Sequence, residues 1–224
     1  MTGRRKYDQG CAVAHGLDLV GERWALLVVR DLLLGPKRFV DLRQGLPGAS
    51  PDMLTQRLRE LQDVGVVRRR KLPPPAGAWV YELTEWGAQL ESVVDALARW
   101  SSRSPSMPYD APIGVDSLIL ALRQLFDADA AAGFRHRVGL RLDSQDFMAD
   151  LADGRLSVSR APAEPADAIL DTDTATLAAL LWKRHPLAAA VRSGDATTAG
   201  SRAVLDRFLR LFPQPSTPAL HSRP

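Results

Sequence analysis

One cysteine, Cys11, is all that this 224-residue chain contains. An internal disulfide and a multi-cysteine metal site are thereby excluded, which leaves adducts, oxidation or a bridge between two copies as the covalent options. No apolar run approaches the roughly 18 residues of a membrane span. The opening "MTGRRKYDQG" has charge but no apolar stretch of a secretory signal behind it. The chain is therefore expected to be cytoplasmic and off the membrane. Phosphate-cradling Gly-rich loops, "HExxH" and "GxSxG" are missing too, and His15, His136, His185 and His221 lie far apart in sequence. Nothing points to a reaction, a metal or a cofactor, so no enzymatic activity is expected. Internal repeats are absent.

What is present is an ordinary globular composition, 46% hydrophobic and 25% charged. The net charge of +3 is too small to argue for nucleic acid, but residues 1–100 carry 15 Lys/Arg against 12 Asp/Glu, whereas the remainder has 14 of each. The whole excess lies in the first half. "SSRSPSMPYDAP", residues 101–112, is rich in Ser and Pro and separates two periodic regions. The expected organisation is a first domain over 1–100, a linker over 101–114, a second domain over 115–213 and a disordered tail over 214–224.

In the first half, "LDLVGERWALLVVRDLLLG" predicts a short helix from Leu17, a break at Gly21, and a longer helix that Gly35 and Pro36 stop. "RFVDLRQGLPG" has Phe39, Leu42 and Leu46 at helical spacing. Ser50 is a good N-cap and Pro51 suits the first helical position, so the next helix starts there and runs to Val64 before Gly65. At about 100° per residue, Leu54, Leu58 and Leu61 fall on one face and Asp52, Thr55, Gln56, Arg59 and Asp63 on the other. "VVRRRKL" and "WVYELT" read as a hairpin around the loop "PPPAGA", and "EWGAQLESVVDALARW" returns to helix with Leu90, Val93, Val94 and Leu97 on one stripe. That order of elements, mainly α, is the order of a winged helix-turn-helix domain.

A helix that reads double-stranded DNA needs an apolar back and an outward face able to reach base edges, with positive charge nearby for the backbone. Ser50, Asp52, Thr55, Gln56 and Arg59 are the candidate contacts on the helix. Gln56 and Arg59 have the chemistry for adenine and guanine edges, and Ser50 or Thr55 for phosphate. Asp52 has two readings, acceptance from cytosine or complementing the helix dipole. Arg68, Arg69, Arg70 and Lys71 begin the hairpin; they are either phosphate contacts or solvated charges that protect a sheet edge. Strand alternation sends some of them to the opposite face. Arg38 either touches backbone or pairs with Asp41.

"CAVAHGLDLVGERWALLVVRDLLLGPKRFVDLRQGLPGASPDMLTQRLRELQDVGVVRRR", followed by "VYELTEWGAQL", resembles the HxlR-type family of winged helix-turn-helix transcriptional regulators over residues 7–100. The resemblance implies a homodimer joined through the first helix and the helix after the wing. Its two reading helices would sit on a near-palindromic operator, with half-sites ~34 to 36 Å apart or a multiple of that. Where that family's wing carries one or two prolines, this chain has "PPPAGAW". Some members sense oxidants or electrophiles through a cysteine near the position of Cys11. A protonated His15, four residues on, would lower the thiol's pKa if the segment is helical, whereas the plain alternative is a small hydrophobe buried in the dimer interface.

In the second half, "GVDSLILALRQLF" predicts an amphipathic helix. "FRHRVGLRL", "QDFMADLADG", "RLSVSRAP" and "ADAILDTD" predict four strands, with Asp153 and Gly154 turning between the second and third. "DTATLAALLW", "HPLAAAVRS" and "GSRAVLDRFLRLF" predict helices, and "GDATTAG" a short turn or strand. The sum is an α+β unit with a mostly antiparallel sheet. Over residues 115–213 this order, with "SGDATTAG" and "VLDRFLRLF", resembles the sterol-carrier-protein fold. The resemblance implies an apolar cavity able to hold a lipid-like effector. The plain alternative is that Leu177, Leu180, Leu181, Trp182, Leu187, Val191, Leu205, Phe208 and Phe212 fill a core. The leading expectation is thus a dimeric, sequence-specific DNA-binding regulator. The competing one is a small-molecule carrier whose first domain serves dimerisation or protein binding.

Overall fold

The computed structural model describes residues 6–108, 111–183 and 185–213. The expected tail over 214–224 lies outside the described residues. The chain divides between Ala96 and Leu97 into two compact units, and the division falls inside a helix just before the Ser/Pro-rich stretch.

The first unit runs α1 (Ala12–Val20), α2 (Ala25–Leu32), α3 (Phe39–Gly45), α4 (Pro51–Asp63), β1 (Val67–Lys71), β2 (Trp79–Leu83) and α5 (Glu85–Ala88), and ends within α6 (Glu91–Ser101). Its core joins Val28, Val29 and Leu32 of α2, Leu42 of α3, Leu54, Leu58 and Leu61 of α4, and Val66 and Val67 at the root of the hairpin. Full burial of each such side chain is worth about 1.5 to 3 kcal/mol, so the leucine face of α4 is what fastens that helix. Lys37 and Tyr81 exchange backbone hydrogen bonds of 2.9 and 2.7 Å, which adds a one-residue third strand beside β2.

Two helix boundaries differ from expectation. α1 begins at Ala12, five residues before Leu17, with the His15 N–H donating to the Cys11 carbonyl at 2.9 Å and no side-chain bond from Cys11 at the cap. The segment after the wing is two helices, α5 and α6. Gly87 presses so close to the hairpin that an added Cβ would lie 2.0 Å from the Val66 carbonyl oxygen, and a tight turn through Gln89 and Leu90 follows.

The second unit continues with α7 (Val115–Leu125), β3 (His136–Leu142), β4 (Gln145–Ala152), β5 (Arg155–Ser159), β6 (Ala168–Thr172), α8 (Thr174–Trp182), α9 (Leu187–Ser193), β7 (Ala196–Gly200) and α10 (Arg202–Phe208). It is an α+β unit whose sheet has the order β5-β4-β3-β6-β7, with only the β3–β6 pair parallel. Asp153 and Gly154 make the β4–β5 turn with positive φ, as the sequence signals. Asp143 and Ser144 make the same kind of turn between β3 and β4 without a glycine, and Asp143 is anchored there by the backbone N–H and hydroxyl of Thr174. Leu177, Leu180, Leu187, Leu205, Phe208 and Phe212 are buried, Leu181 and Trp182 are half-buried, and Val191 is exposed.

Candidate DNA-binding surface

The helix that the sequence singles out, α4, is closed at both ends. Ser50 Oγ accepts from the Met53 N–H at 3.2 Å, and Pro51 follows at the first helical position. At the other end the Val66 N–H donates to the Leu61 carbonyl and the Gly65 N–H to the Gln62 carbonyl, with Gly65 at φ +74°. This is a Schellman motif, and it needs the left-handed conformation that glycine adopts freely. A helix fixed in this way presents its outer face in one register.

On that face Asp52, Gln56 and Arg59 are exposed and Thr55 is half-buried. The Thr55 hydroxyl donates to the Pro51 carbonyl at 2.8 Å, so its proton is engaged within the helix. Gln56 Nε2 donates to Glu60 Oε1 at 2.9 Å. Arg59 has no side-chain partner among the described residues. The guanidinium on this face is therefore unengaged, and it is the group best suited to bidentate recognition of guanine.

Arg57 was not among the expected functional residues. It is only 4% exposed, its Nη1 is ion-paired with Glu60 Oε2, and its Nη2 lies 3.7 Å from Glu22 in the turn before α2. The signal was available: 54, 57, 58 and 61 form an i, i+3, i+4, i+7 set, which places Arg57 on the apolar face. Its long stem packs there while its head finds carboxylates.

The four basic residues of β1 divide by strand alternation. Arg68 stands directly across from Glu82, and Arg68 Nε and Arg70 Nε each donate to a Glu82 carboxylate oxygen at 2.7 Å. Burial pushes the Glu82 carboxyl up, but the hydrogen bonds from Arg70 and Arg68 outweigh it and hold the group below its ordinary value. Arg69 points to the opposite face, where its guanidinium lies 4.7 Å from the Trp79 ring centre and 5.9 Å from that of Tyr81. Lys71, across from Trp79, is exposed on the same face. The hairpin tip closes through the Leu72 N–H and the Ala78 carbonyl at 2.8 Å, which leaves Pro73, Pro74 and Pro75 exposed.

Arg38 makes the ion pair of its two expected readings. Nε and Nη2 donate to the two Asp41 oxygens at 3.0 and 2.9 Å, raising the Arg38 pKa and holding Asp41 below the usual carboxylate range. Cys11 is exposed in the single chain and sits at the helix cap rather than within α1. Its thiol is held below its ordinary pKa by the backbone N–H groups of Ala14 and Val13 at the start of the helix, not by the His15 imidazole expected to do this.

The HxlR-like helix-turn-helix model matches residues 19–107, and a second model, the alkyl sulfatase C-terminal family, matches residues 120–218. The latter stands where a sterol-carrier likeness was expected. The chain is 36% identical over 85 residues to the HTH-type transcriptional regulator YodB of Bacillus subtilis (strain 168), which covers 38% of this chain and 76% of that protein. It is 33% identical over 109 residues to YtcD, an uncharacterized HTH-type transcriptional regulator of the same strain, covering 47% of this chain and 82% of YtcD. Among solved structures, the redox regulator HypR in its oxidized form is 32% identical with a TM-score of 0.40, covering 43% of this chain and all of that one. With a winged helix-turn-helix unit in place and relatives matched over most of their own length, the chain belongs to the HxlR-like helix-turn-helix family and is a DNA-binding transcriptional regulator.

Proposed function

We propose that the protein binds a near-palindromic operator as a homodimer, with two α4 helices in neighbouring major-groove segments. The observation that carries this reading is the form of α4: capped at both ends, seated by three buried leucines, and with Gln56 and Arg59 facing outward. Ser50 is proposed as a phosphate contact through its free hydroxyl proton, and Thr55 as an acceptor or packing contact. Arg59 and Gln56 are the base-reading candidates, Arg69 and Lys71 the wing contacts, and Asp52 a complement to the helix dipole.

Dimerisation is supported by apolar side chains left exposed on two helices. Val13 and Leu17 on α1, and Val93, Leu97 and Trp100 on α6, are accessible in the single chain, Val13 at 71% and Trp100 at 76%. Exposed apolar residues gathered on helical faces mark association surfaces. The test is selection of bound sequences from a random duplex library. Enrichment of a two-fold-symmetric site with half-sites one or two helical turns apart is expected; recovery of no common sequence would sink specific recognition.

For the second unit, we propose a non-catalytic module of sterol-carrier-like form that takes an apolar effector. Two features support it. α8 is apolar on nearly every side, and the indole N–H of Trp182 at its end is buried without a hydrogen-bond partner among the described residues. Against a large ready-made cavity stands a packed interior, in which Phe208 and Phe212 lie edge to face at 5.0 Å. Effector binding would therefore require repacking, and it would shift DNA affinity only by its differential affinity for two states. Titration with a fluorescent long-chain alkyl probe, read on the wild type and on W182F, checks this. No saturable binding by the wild type removes the effector from the reading and leaves DNA recognition untouched.

A further inference from the structure

We propose that Glu82 is a specificity-determining residue, which holds Arg68 and Arg70 out of phosphate contact and so limits sequence-independent affinity for DNA. The inference rests on the DNA-binding reading and concerns how the wing's charge is distributed. Four consecutive cations would ordinarily count as four phosphate contacts, yet only Arg69 and Lys71 are directed to the face bearing Trp79 and Tyr81. The other two converge on one carboxylate, each through Nε at 2.7 Å.

The exposure of the three partners decides how this arrangement behaves. The Arg68 and Arg70 side chains are 64% and 41% accessible, whereas that of Glu82 is 11% accessible. An exposed arginine alone is cheaply drawn away from its partner, because surface ion pairs are weak. A buried carboxylate cannot be abandoned in the same way, since an unpaired buried charge is strongly unfavourable. The carboxylate therefore retains its arginines when a phosphate competes for them. Its pKa, held low despite burial, keeps it charged at neutral pH. Discrimination between sequences then falls on α4 and the opposite wing face, because every phosphate contact adds affinity that is the same for all sequences.

The experiment is anisotropy titration of a fluorescein-labelled random-sequence duplex over a range of KCl concentrations, for the wild type, E82Q, R68Q and the triple variant R68Q/E82Q/R70Q. The slope of log K against log salt counts phosphates neutralised, about 0.9 per contact on duplex DNA. E82Q is expected to steepen the slope by about 0.9 for each arginine released, to about 1.8 for both, and to tighten random-sequence binding at low salt. R68Q, in which Arg70 still satisfies Glu82, is expected to match the wild type, as is the triple variant. An unchanged or flatter slope for E82Q overturns the proposal. So does a slope for R68Q flatter by about 0.9, which would mean that Glu82 presents the arginines to DNA. Should E82Q fail to fold, R68Q and the triple variant decide the matter. A wild type without salt-dependent DNA binding would fail the DNA-binding reading itself, an outcome distinct from a wild type that binds and an E82Q that behaves like it.

Discussion

Arg57 reaches from the buried side of α4 to Glu22, 3.7 Å away in the turn that precedes α2. The link ties the reading helix to the neighbouring helix pair through charge as well as through leucines. It continues outward: Glu60 takes Arg57 on one oxygen and Gln56 on the other. A base-reading candidate is thus coupled, through a single glutamate, to the fastening of its own helix.

Removing the arginine head and stem should be costly. R57A leaves a cavity and strips Glu60 of its buried partner, so a loss of about 2 to 4 kcal/mol is expected in urea unfolding. R57M keeps most of the volume and should lose about 1 kcal/mol. E22Q, at the exposed end of the network, should lose less than about 1 kcal/mol. Wild-type stability in both R57M and E22Q would show that the network contributes nothing beyond packing.

On the outer face, Arg59 and Gln56 should differ in effect. Arg59 is unpaired among the described residues, so R59A is expected to weaken operator binding by about 1 to 3 kcal/mol and to relax preference at one base pair. Gln56 must first leave Glu60, which offsets part of what a base contact contributes, so Q56A should cost less. Affinity measured on the selected site and on its single-base variants separates the two.

The helices and the wing were legible because their signals are local. Ser50 with Pro51 marked the start of α4, Gly65 its end, and the leucine spacing its seat. The turn at Asp153 and Gly154 carried a glycine, whereas the one at Asp143 and Ser144 did not, being held instead by Thr174 thirty-one residues away. Distance along the chain hid other relationships in the same way. Gly48 leaves room for the Trp24 ring, against which a Cβ would lie 2.9 Å from Cη2. That fit joins two motifs whose dependence on each other no local pattern reveals. The pairing of Arg68 and Arg70 with Glu82 needs the register of the hairpin, which a Pro-rich loop of unknown geometry does not disclose.

Acid should destabilise the fold over a narrow range. Asp173 is held below its ordinary pKa first by the backbone N–H of Thr176 and then by its hydroxyl, and Asp167 first by the Arg137 N–H and then by His136. A carboxyl whose folded pKa is depressed contributes stability above its unfolded value, near 3.9, and loses it as pH falls through the folded value. Melting temperature should therefore hold between about pH 5 and 7 and fall below about pH 4. D173A, which removes the cap of α8, should cost about 1 kcal/mol at pH 7, and less under acid conditions.

The position of Cys11 makes a kinetic prediction. Backbone N–H groups stabilise its thiolate and the side chain is exposed, so iodoacetamide should modify it at neutral pH faster than it modifies an unstructured cysteine peptide. His15 is not the cause of the shift, so H15A should leave the rate unchanged. As a proposed redox sensor, the alkylated protein should also lose operator affinity, whereas C11S should bind normally and be indifferent to oxidant. Modification without any change in DNA binding would leave the thiol reactive but without a regulatory role.

The apolar faces of α1 and α6 make the strongest demand on solution behaviour. Leaving Val13, Leu17, Val93, Leu97 and Trp100 in water forfeits roughly 1.5 to 3 kcal/mol for each side chain that a partner would cover fully. On the proposed dimer, a second copy covers these faces, and the apolar area removed from water offsets the cost of association. Sedimentation velocity should therefore show a dimer for the wild type and a monomer for W100E or V13E, since a charge placed in the centre of the contact must be desolvated without a partner. The monomeric variants should keep their helical content, because neither side chain belongs to the core of its unit. They should also lose operator affinity far more steeply than random-sequence affinity, because only the paired reading helices gain from linking two half-sites. A wild type that sediments as a monomer would instead assign these side chains to another partner and leave each α4 helix to read DNA alone.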